Sequence, residues 1–106
     1  MIKIKLPTEL DCWESVWVQE ITDNTGEICN LPALTESYKY KDIIEFDAEA
    51  REALGMIEDG GYTETRLIQY KGDFLSAKAK WEAQGYIVEC FAIGILGISR
   101  KRSSSY

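Results

Sequence analysis

The sequence predicts an α+β fold: a single domain with an antiparallel or mixed sheet of about five to seven strands and one main helix, residues 73–84, packed on one face. Three observations lead to this fold class. Several short stretches alternate apolar and polar residues with the period of a strand. One later stretch repeats apolar residues at helical spacing. The length, 106 residues, is the size of one domain.

The N-terminal half predicts strands. Residues 1–6 alternate apolar residues with lysine, which indicates a half-buried strand at a sheet edge. Residues 15–21 and 27–31 predict a β-hairpin around the turn DNTG, because Asn and Gly tolerate positive φ. Residues 42–47 predict another strand, with residues 42 and 44 on one face and residues 43, 45 and 47 on the other.

Two segments of this half are not regular strands. Residues 35–41, TESYKYK, are polar and predict an exposed loop. Residues 48–58 leave helix and strand both open, since AEAREALG has helical propensity but is short and contains Gly55. The sequence does not decide between these two alternatives.

The C-terminal half predicts a strand, a helix and a strand. Residues 63–70 alternate, Asp73 suits a helix N-cap, and Gly85 suits the position after the helix. The helix carries one apolar stripe, formed by Phe74, Ala77 and Trp81. Residues 86–99 are strand-like, with glycines at bulges or a bend. The domain is therefore predicted to cover residues 1–99, and the basic, serine-rich tail, residues 100–106, is predicted to be frayed.

The residue types argue against catalysis and metal binding. The chain has no histidine, which removes the usual general base and the Ser–His and Cys–His pairs. The cysteines, Cys12, Cys29 and Cys90, form no C-x-x-C pair, which argues against a zinc site or a disulfide framework. A Cys12 nucleophile or a Glu45 and Asp47 pair is the remaining catalytic alternative. We predict a protein that is not an enzyme, with no cofactor and no metal.

Charge and hydropathy predict the compartment and the kind of partner. The N-terminus lacks a long apolar stretch and no apolar run approaches the roughly 18 residues of a membrane span, so we expect a cytoplasmic protein without membrane contact. The formal net charge is −6, and residues 1–99 hold nine basic and eighteen acidic residues. An acidic body argues against direct nucleic-acid binding and favours a basic protein partner, or serves solubility alone.

Two segments are the best candidates for partner contact. The loop TESYKYK and the turn EDGGY combine tyrosines, which give large contact area with few torsions, with acidic groups. The predicted partner-binding residues are Glu36, Tyr38, Tyr40, Asp42, Glu58, Asp59 and Tyr62. The alternative for the loop is a solvated segment whose tyrosines lie on the core rim. The alternative for EDGGY is a tight turn. For Trp13 and Trp17 the alternatives are an aromatic partner surface or framework, with Trp17 in the core.

Four motifs fall in order along the chain: ESVWV at 14–18, CNLP at 29–32, YKDIIEFD at 40–47 and GYTETRL at 61–67. They resemble a bacterial domain-of-unknown-function family of small soluble proteins with the pattern Glu-Ser/Thr-x-Trp, Asn-x-Pro, Tyr-x-Asp-x-Val/Ile-Glu and Gly-His-Ser-Thr-x-Arg. Tyr62 and Glu64 depart from the His and Thr of that pattern. The resemblance implies no activity, but it implies a shared framework formed by Glu14, Trp17, Asn30, Asp42, Glu45 and Arg66. A buried or semi-buried carboxylate–arginine contact is one role open to these residues.

These observations favour a non-catalytic, acidic, protein-binding module. Its sharpest form is an inhibitor or immunity protein that neutralises a basic toxin or nuclease by occlusion, since opposite charge steers association. Two alternatives remain open from the sequence. One is a small-molecule- or peptide-binding oligomeric module, which a deep apolar pocket lined by Trp17, Phe46 and Phe91 would favour. The other is a phage-borne inhibitor of a host defence complex, which would have the same composition.

Overall fold

Eight strands and one helix form two sheet systems in the computed structural model, which describes residues 1–103. The strands are β1 Ile2–Pro7, β2 Trp13–Thr22, β3 Thr25–Ile28, β4 Ile43–Asp47, β5 Glu52–Glu58, β6 Arg66–Gln69, β7 Ile87–Ala92 and β8 Ile95–Ser99, and helix α1 is Phe74–Glu82. Strands β1 to β5 close a barrel, and β6, β8 and β7 form a separate sheet. The predicted content, mostly sheet with one helix, is confirmed. The predicted single sheet with the helix on one face is wrong.

The barrel is a meander in which each strand pairs antiparallel with the next. A meander of five strands leaves the first and last pointing the same way, so β1 and β5 meet in parallel, at Lys5 and Glu52. The predicted edge position of β1 is therefore wrong. The lysines of β1 face solvent because only one face of each barrel strand points inward.

The predicted β-hairpin is confirmed as β2 and β3, joined by Asp23 and Asn24. Gly26 lies next to this turn and is buried against β2. A Cβ at Gly26 would collide with the side chain of Val18 and lie 2.8 Å from the carbonyl oxygen of Gln19. The close approach of the two strands therefore requires glycine at this position.

The inward faces of the strands form the barrel core. Its buried residues are Ile4, Leu6, Val16, Val18, Ile28, Tyr38, Ile44 and Phe46. Because Val16 and Val18 point inward, Trp17 between them points outward and is 47% exposed. The interpretation of Trp17 as a core residue is therefore wrong. The ammonium group of Lys3 lies 5.2 Å from the centroid of the Trp17 ring.

Residues 52–58 are the strand β5, so the open choice between helix and strand is decided in favour of strand. A turn at residues 48–51 precedes it, where the Asp47 carboxylate accepts hydrogen bonds from the amides of Glu49 and Ala50, both at 2.9 Å. Two register shifts against β4 leave Leu54 and Ile57 as extra, bulged residues. Both side chains are exposed, because bulged residues fall outside the alternation.

The second sheet places β8 between β6 and β7, antiparallel to both. Strands β6 and β7 are thus parallel to each other, and α1 connects them. The predicted continuous strand at 86–99 is instead the hairpin of β7 and β8, which turns at Gly94 with φ 77°. The predicted N-cap is confirmed, because the Asp73 carboxylate accepts the Ser76 amide at 2.9 Å. The helix ends earlier than predicted, with Ala83 as its C-cap, and Gly85, which has φ 91°, lies two residues beyond that cap. The helix packs through Phe74, Ala77 and Trp81 on Val88, Leu96 and Ile98.

Residues 100–102 continue beyond β8 beside residues 61–63. Tyr62 and Lys101 form an antiparallel bridge. The Thr63 amide donates to the Arg100 carbonyl at 2.9 Å, and the Arg102 amide donates to the Gly61 carbonyl at 2.8 Å. The prediction of a frayed tail is therefore wrong for residues 100–102, while residues 104–106 lie outside the described residues.

Candidate functional site

An open cleft of about 420 Å³ lies where the barrel meets the end of the three-stranded sheet, and we call it the junction cleft. Strands β3, β4 and β5 supply its barrel side, and the segment after β5 and the tail supply the other side. Its lining residues are Glu27, Lys41, Ile43, Glu58, Asp59, Gly60, Tyr62 and Lys101. They belong to four segments of the chain, at positions 27, 41–43, 58–62 and 101, and only the tertiary structure brings these segments together.

The junction cleft gathers three of the predicted partner-binding residues, Glu58, Asp59 and Tyr62. A fourth, Tyr40, packs its ring edge-to-face against the Tyr62 ring, with 4.9 Å between the centroids. The two tyrosines come from the two different predicted segments. The loop before β4 and the turn after β5 thus meet at one aromatic contact.

Two other predicted partner-binding residues are buried, and the prediction is wrong for them. Tyr38 is 8% exposed and belongs to the barrel core. Asp42 is 0% exposed, and its carboxylate accepts the Lys39 amide and the Gly60 amide, both at 2.8 Å. Asp42 therefore joins the loop before β4 to the turn after β5. The exposed-loop prediction for residues 35–41 holds for Glu36 but fails at Tyr38.

Glu36 is exposed but is not among the residues that line the junction cleft. Its amide donates to the Glu9 carboxylate at 2.9 Å, and Ser37 Oγ donates to the same carboxylate at 3.0 Å. The hydrogen bond from the Glu36 amide is the main reason that the pKa of Glu9 is lowered from its ordinary value. The structure thus separates Glu36 from the other acidic candidates.

Ion pairs occupy much of the charge in the junction cleft. Asp59 Oδ1 lies 2.5 Å from a guanidinium nitrogen of Arg102, and its other oxygen lies 3.7 Å from Lys39 Nζ. The hydrogen bond from Arg102 is the largest cause of the lowered pKa of Asp59. Lys41 Nζ lies 2.9 Å from Glu27 Oε1, and this hydrogen bond raises the pKa of Lys41. Within residues 1–103, no hydrogen bond or ion pair of the Glu58 side chain is found.

Gly60 fixes how closely the turn after β5 approaches the end of the loop before β4. A Cβ at Gly60 would collide with the carbonyl group of Lys41. Gly61 follows with φ 84°, a conformation that favours glycine. The interpretation of EDGGY as a tight turn and its position in the lining of the junction cleft therefore do not conflict.

Two side chains of the resemblance motifs, those of Glu14 and Asn30, accept hydrogen bonds from backbone amides. The Glu14 carboxylate accepts the amides of Ala33, Leu34 and Thr35 at 2.7 to 2.9 Å. Asn30 Oδ1 accepts the Trp17 amide at 2.6 Å. The Glu14 carboxylate thus holds the loop after β3 through carboxylate–amide contacts.

Sequence reasoning missed the basic residues of the site. Lys39 and Arg102 both pair with Asp59, and Arg102 is 43 residues away along the chain. No local pattern reveals a pair at such a separation. The unbalanced charge of the tail was the one available signal, since three adjacent cations in an acidic chain favour contact with a carboxylate.

The other candidate groups are not gathered into a site. Glu45 and Asp47 are exposed on the outer face of β4, as the alternation predicts. In the part of the chain that the structure describes, no group of three or more His, Cys, Asp or Glu residues is arranged to hold a metal ion. Among the described helices, none has the length and apolar character needed to cross a membrane.

The fold and the site define a small barrel-and-sheet protein with a charged, aromatic-edged cleft at the junction of its two sheets. Comparison with protein-family models, with curated proteins and with solved structures found no significant match. The family resemblance therefore stays a prediction.

Proposed function

We propose that this chain is a non-catalytic protein-binding module that acts as an inhibitor or immunity protein and neutralises a basic toxin or nuclease by occlusion. The observation that carries the proposal is the junction cleft, which brings Glu58, Asp59 and Tyr62 together beside Tyr40. Tyrosines that border a charged cleft provide contact area and hydrogen bonds at small entropic cost. The net charge of −6 supports attraction of a basic partner.

The arrangement of charges in the junction cleft supports binding of a cationic side chain of the partner. Asp59 is already oriented by Arg102 and Lys39, whereas Glu58 is exposed and has no side-chain partner within residues 1–103. A lysine or arginine of the partner gains a charge-assisted hydrogen bond at Glu58 without breaking an existing ion pair. Glu58 is therefore the acidic residue that we assign to first contact with the partner.

Charge reversal tests this proposal. Tagged protein is used to capture binding proteins from a lysate of the native host, at low and at moderate salt. We expect a stoichiometric basic protein that is lost as salt rises, and we expect Glu58→Lys to weaken its capture at least about tenfold. Glu82→Lys, the same change on the exposed end of α1, is the matched control and should leave capture unchanged. Equal capture by wild type and Glu58→Lys would contradict the junction cleft as the contact surface, and the absence of any captured basic protein would contradict the proposed function.

A second candidate surface is the outer face of β2, which exposes Trp13 at 53%, Trp17 at 47% and Ile21 at 56%. Tryptophan is enriched among the residues that dominate binding energy at interfaces. This surface supports the same class of function, protein binding, through a different face. Trp13→Ala would then reduce capture of the partner while Glu58→Lys would not.

The small-molecule alternative receives less support. The aromatic residues proposed to line its pocket lie in different environments: Phe46 is 1% exposed in the barrel core, while Trp17 and Phe91 are exposed. Phe91 borders a cavity of only about 30 Å³, which is far below the size of a ligand pocket. A phage-borne inhibitor of a host defence complex would bind its target by the same kind of surface. The identity of the captured protein distinguishes such an inhibitor from an immunity protein.

A further inference from the structure

The tail strand, which we define as residues 100–102, is a short basic segment paired with residues 61–63, the receiving edge. The ladder between β6 and β8 pairs Arg66 with Ile98, but the bridge beyond it pairs Tyr62 with Lys101. The register therefore shifts by one residue between the two pairings. The tail strand is held by its own two backbone hydrogen bonds rather than by an uninterrupted ladder.

The side chains of the tail strand each have a different neighbour. The Arg102 guanidinium contacts the Asp59 carboxylate at 2.5 Å. The Arg100 guanidinium lies 5.0 Å from the centroid of the Tyr86 ring. Lys101 lines the junction cleft. All three residues are exposed, so polar contacts rather than apolar burial hold the segment.

This arrangement has the features of a peptide bound at a sheet edge. Extended peptides bind by adding a strand, with backbone hydrogen bonds for affinity and side-chain contacts for specificity. Arginine suits such contacts because its planar guanidinium binds a carboxylate and stacks on an aromatic ring. The receiving edge, Asp59 and Tyr86 thus recognise a basic strand, and the tail strand is the example that the structure contains.

We propose that the receiving edge, with Asp59 and Tyr86, binds an extended arginine-containing segment of a protein partner, and that the tail strand occupies this place in the free protein. This inference rests on the proposed function, because it specifies the part of the basic partner that enters the site. The tail strand then acts as a covalently attached competitor. A partner segment replaces it by forming the same hydrogen bonds and ion pair.

The competition has a predictable strength. A segment attached to the same chain has an effective concentration on the order of millimolar. A short basic peptide added at micromolar concentration therefore does not displace the tail strand. Weakening the tail strand raises the fraction of protein whose edge is free, and the apparent affinity for an added peptide rises by the same factor.

A peptide titration of the 106-residue chain tests the inference. The probe is a fluorescently labelled synthetic peptide with the sequence SRKRS, which copies residues 99–103, and fluorescence anisotropy reports its binding. We expect Arg100→Ala/Arg102→Ala to bind the probe at least roughly tenfold more tightly than wild type. Lys71→Ala/Lys80→Ala removes two exposed cations elsewhere, so it controls for net charge and should behave as wild type.

A third variant tests whether the gain in probe affinity comes from the proposed site. Adding Asp59→Asn to Arg100→Ala/Arg102→Ala should remove most of the gain, because the carboxylate that receives arginine is lost. Equal probe affinity of wild type and Arg100→Ala/Arg102→Ala, or a gain that survives Asp59→Asn, would overturn the inference. The peptide titration does not use the Glu58→Lys variant or the captured partner, which test the proposed function. Failure of this inference and failure of the proposed function are therefore distinguishable.

Hydrogen exchange of the wild-type chain provides a test that needs no variant. If the tail strand is replaceable, the Arg102 amide opens independently of β8, and we expect it to exchange at least about tenfold faster than the Ile98 amide. One molar salt should widen this difference by screening the Arg102–Asp59 ion pair. Equal protection of the two amides at both salt concentrations would show that the segment opens only with the sheet, and the inference would be wrong.

Discussion

At the scale of single residues, Asp42 shows how the same side-chain type serves structure or recognition according to its burial. Asp42 directly precedes β4 and is buried, as are Ile44 and Phe46 on the inward face of that strand, whereas Glu45 faces solvent. A buried carboxylate is retained only when hydrogen bonds replace its hydration. The amides of Lys39 and Gly60 provide those hydrogen bonds.

Asp42→Ala should lower the free energy of unfolding by about 2–4 kcal/mol, because two backbone amides lose their acceptor. Glu45→Ala, on the solvent-facing side of β4, should change the free energy of unfolding by less than about 0.5 kcal/mol. Urea unfolding at neutral pH measures both values. A loss for Asp42→Ala no larger than that for Glu45→Ala would refute the structural role of Asp42.

Gly60 offers a second test at this scale. A methyl group at Gly60 meets backbone atoms of Lys41, which cannot move aside as a flexible side chain does. Gly60→Ala should therefore lower the free energy of unfolding by about 2 kcal/mol or more. Gly55→Ala has no atom within 4 Å of the new Cβ and serves as the control, for which the thermal midpoint should remain close to wild type.

At the scale of elements, the loop between β3 and β4 is fixed by side chains of other segments. Glu14 on β2 accepts three consecutive amides of this loop. Glu89 on β7 accepts a fourth, the Leu31 amide, at 2.8 Å. The loop thus connects the barrel to the three-stranded sheet, and it also carries Tyr40 to its contact with Tyr62.

Glu14→Ala should release the loop at residues 33–35. We expect the amides of Ala33, Leu34 and Thr35 to exchange with solvent at least about tenfold faster, since they lose their acceptor. Glu20→Ala removes an exposed acid from the same strand and should leave the three exchange rates unchanged. Unaltered exchange in Glu14→Ala would mean that the loop is held by other contacts.

At the scale of the whole molecule, the partly buried Glu89 carboxylate on β7 joins the three-stranded sheet to the loop that follows the barrel strand β3. Burial raises the pKa of Glu89, while the hydrogen bond from Leu31 opposes the shift. A raised pKa in the folded state means that folding favours the protonated carboxyl. The contribution of Glu89 to stability is then fully present below its unfolded pKa and is lost as pH rises through its folded pKa.

Glu89→Gln removes this dependence while keeping an oxygen that accepts the Leu31 hydrogen bond. We expect the variant to be more stable than wild type at pH 7, and we expect the difference to shrink as pH falls below the folded pKa of Glu89. Thermal unfolding of both proteins between pH 4 and pH 7 measures the difference. Glu82→Gln on the exposed end of α1 is the control, and an equal response in the two variants would contradict this role for Glu89.

Local patterns in the sequence determined most elements of this protein. Alternation identified the strands β1, β2 and β4, the DNTG turn identified the hairpin, and Asp73 marked the start of α1. Alternation also placed Glu45 and Asp47 on the exposed face of β4. These features depend on neighbours within a few residues, which is the range over which sequence patterns act.

Only the tertiary structure decided how the elements meet. Closure of the barrel at Lys5 and Glu52, insertion of β8 between β6 and β7, and the ion pair of Asp59 with Arg102 each join segments distant along the chain. The same holds for Tyr38, which the sequence predicts in an exposed loop, and for Asp42, which it predicts to contact a partner, because the structure buries both side chains. Burial of such groups depends on partners supplied by other segments, and a local pattern contains no information about those partners.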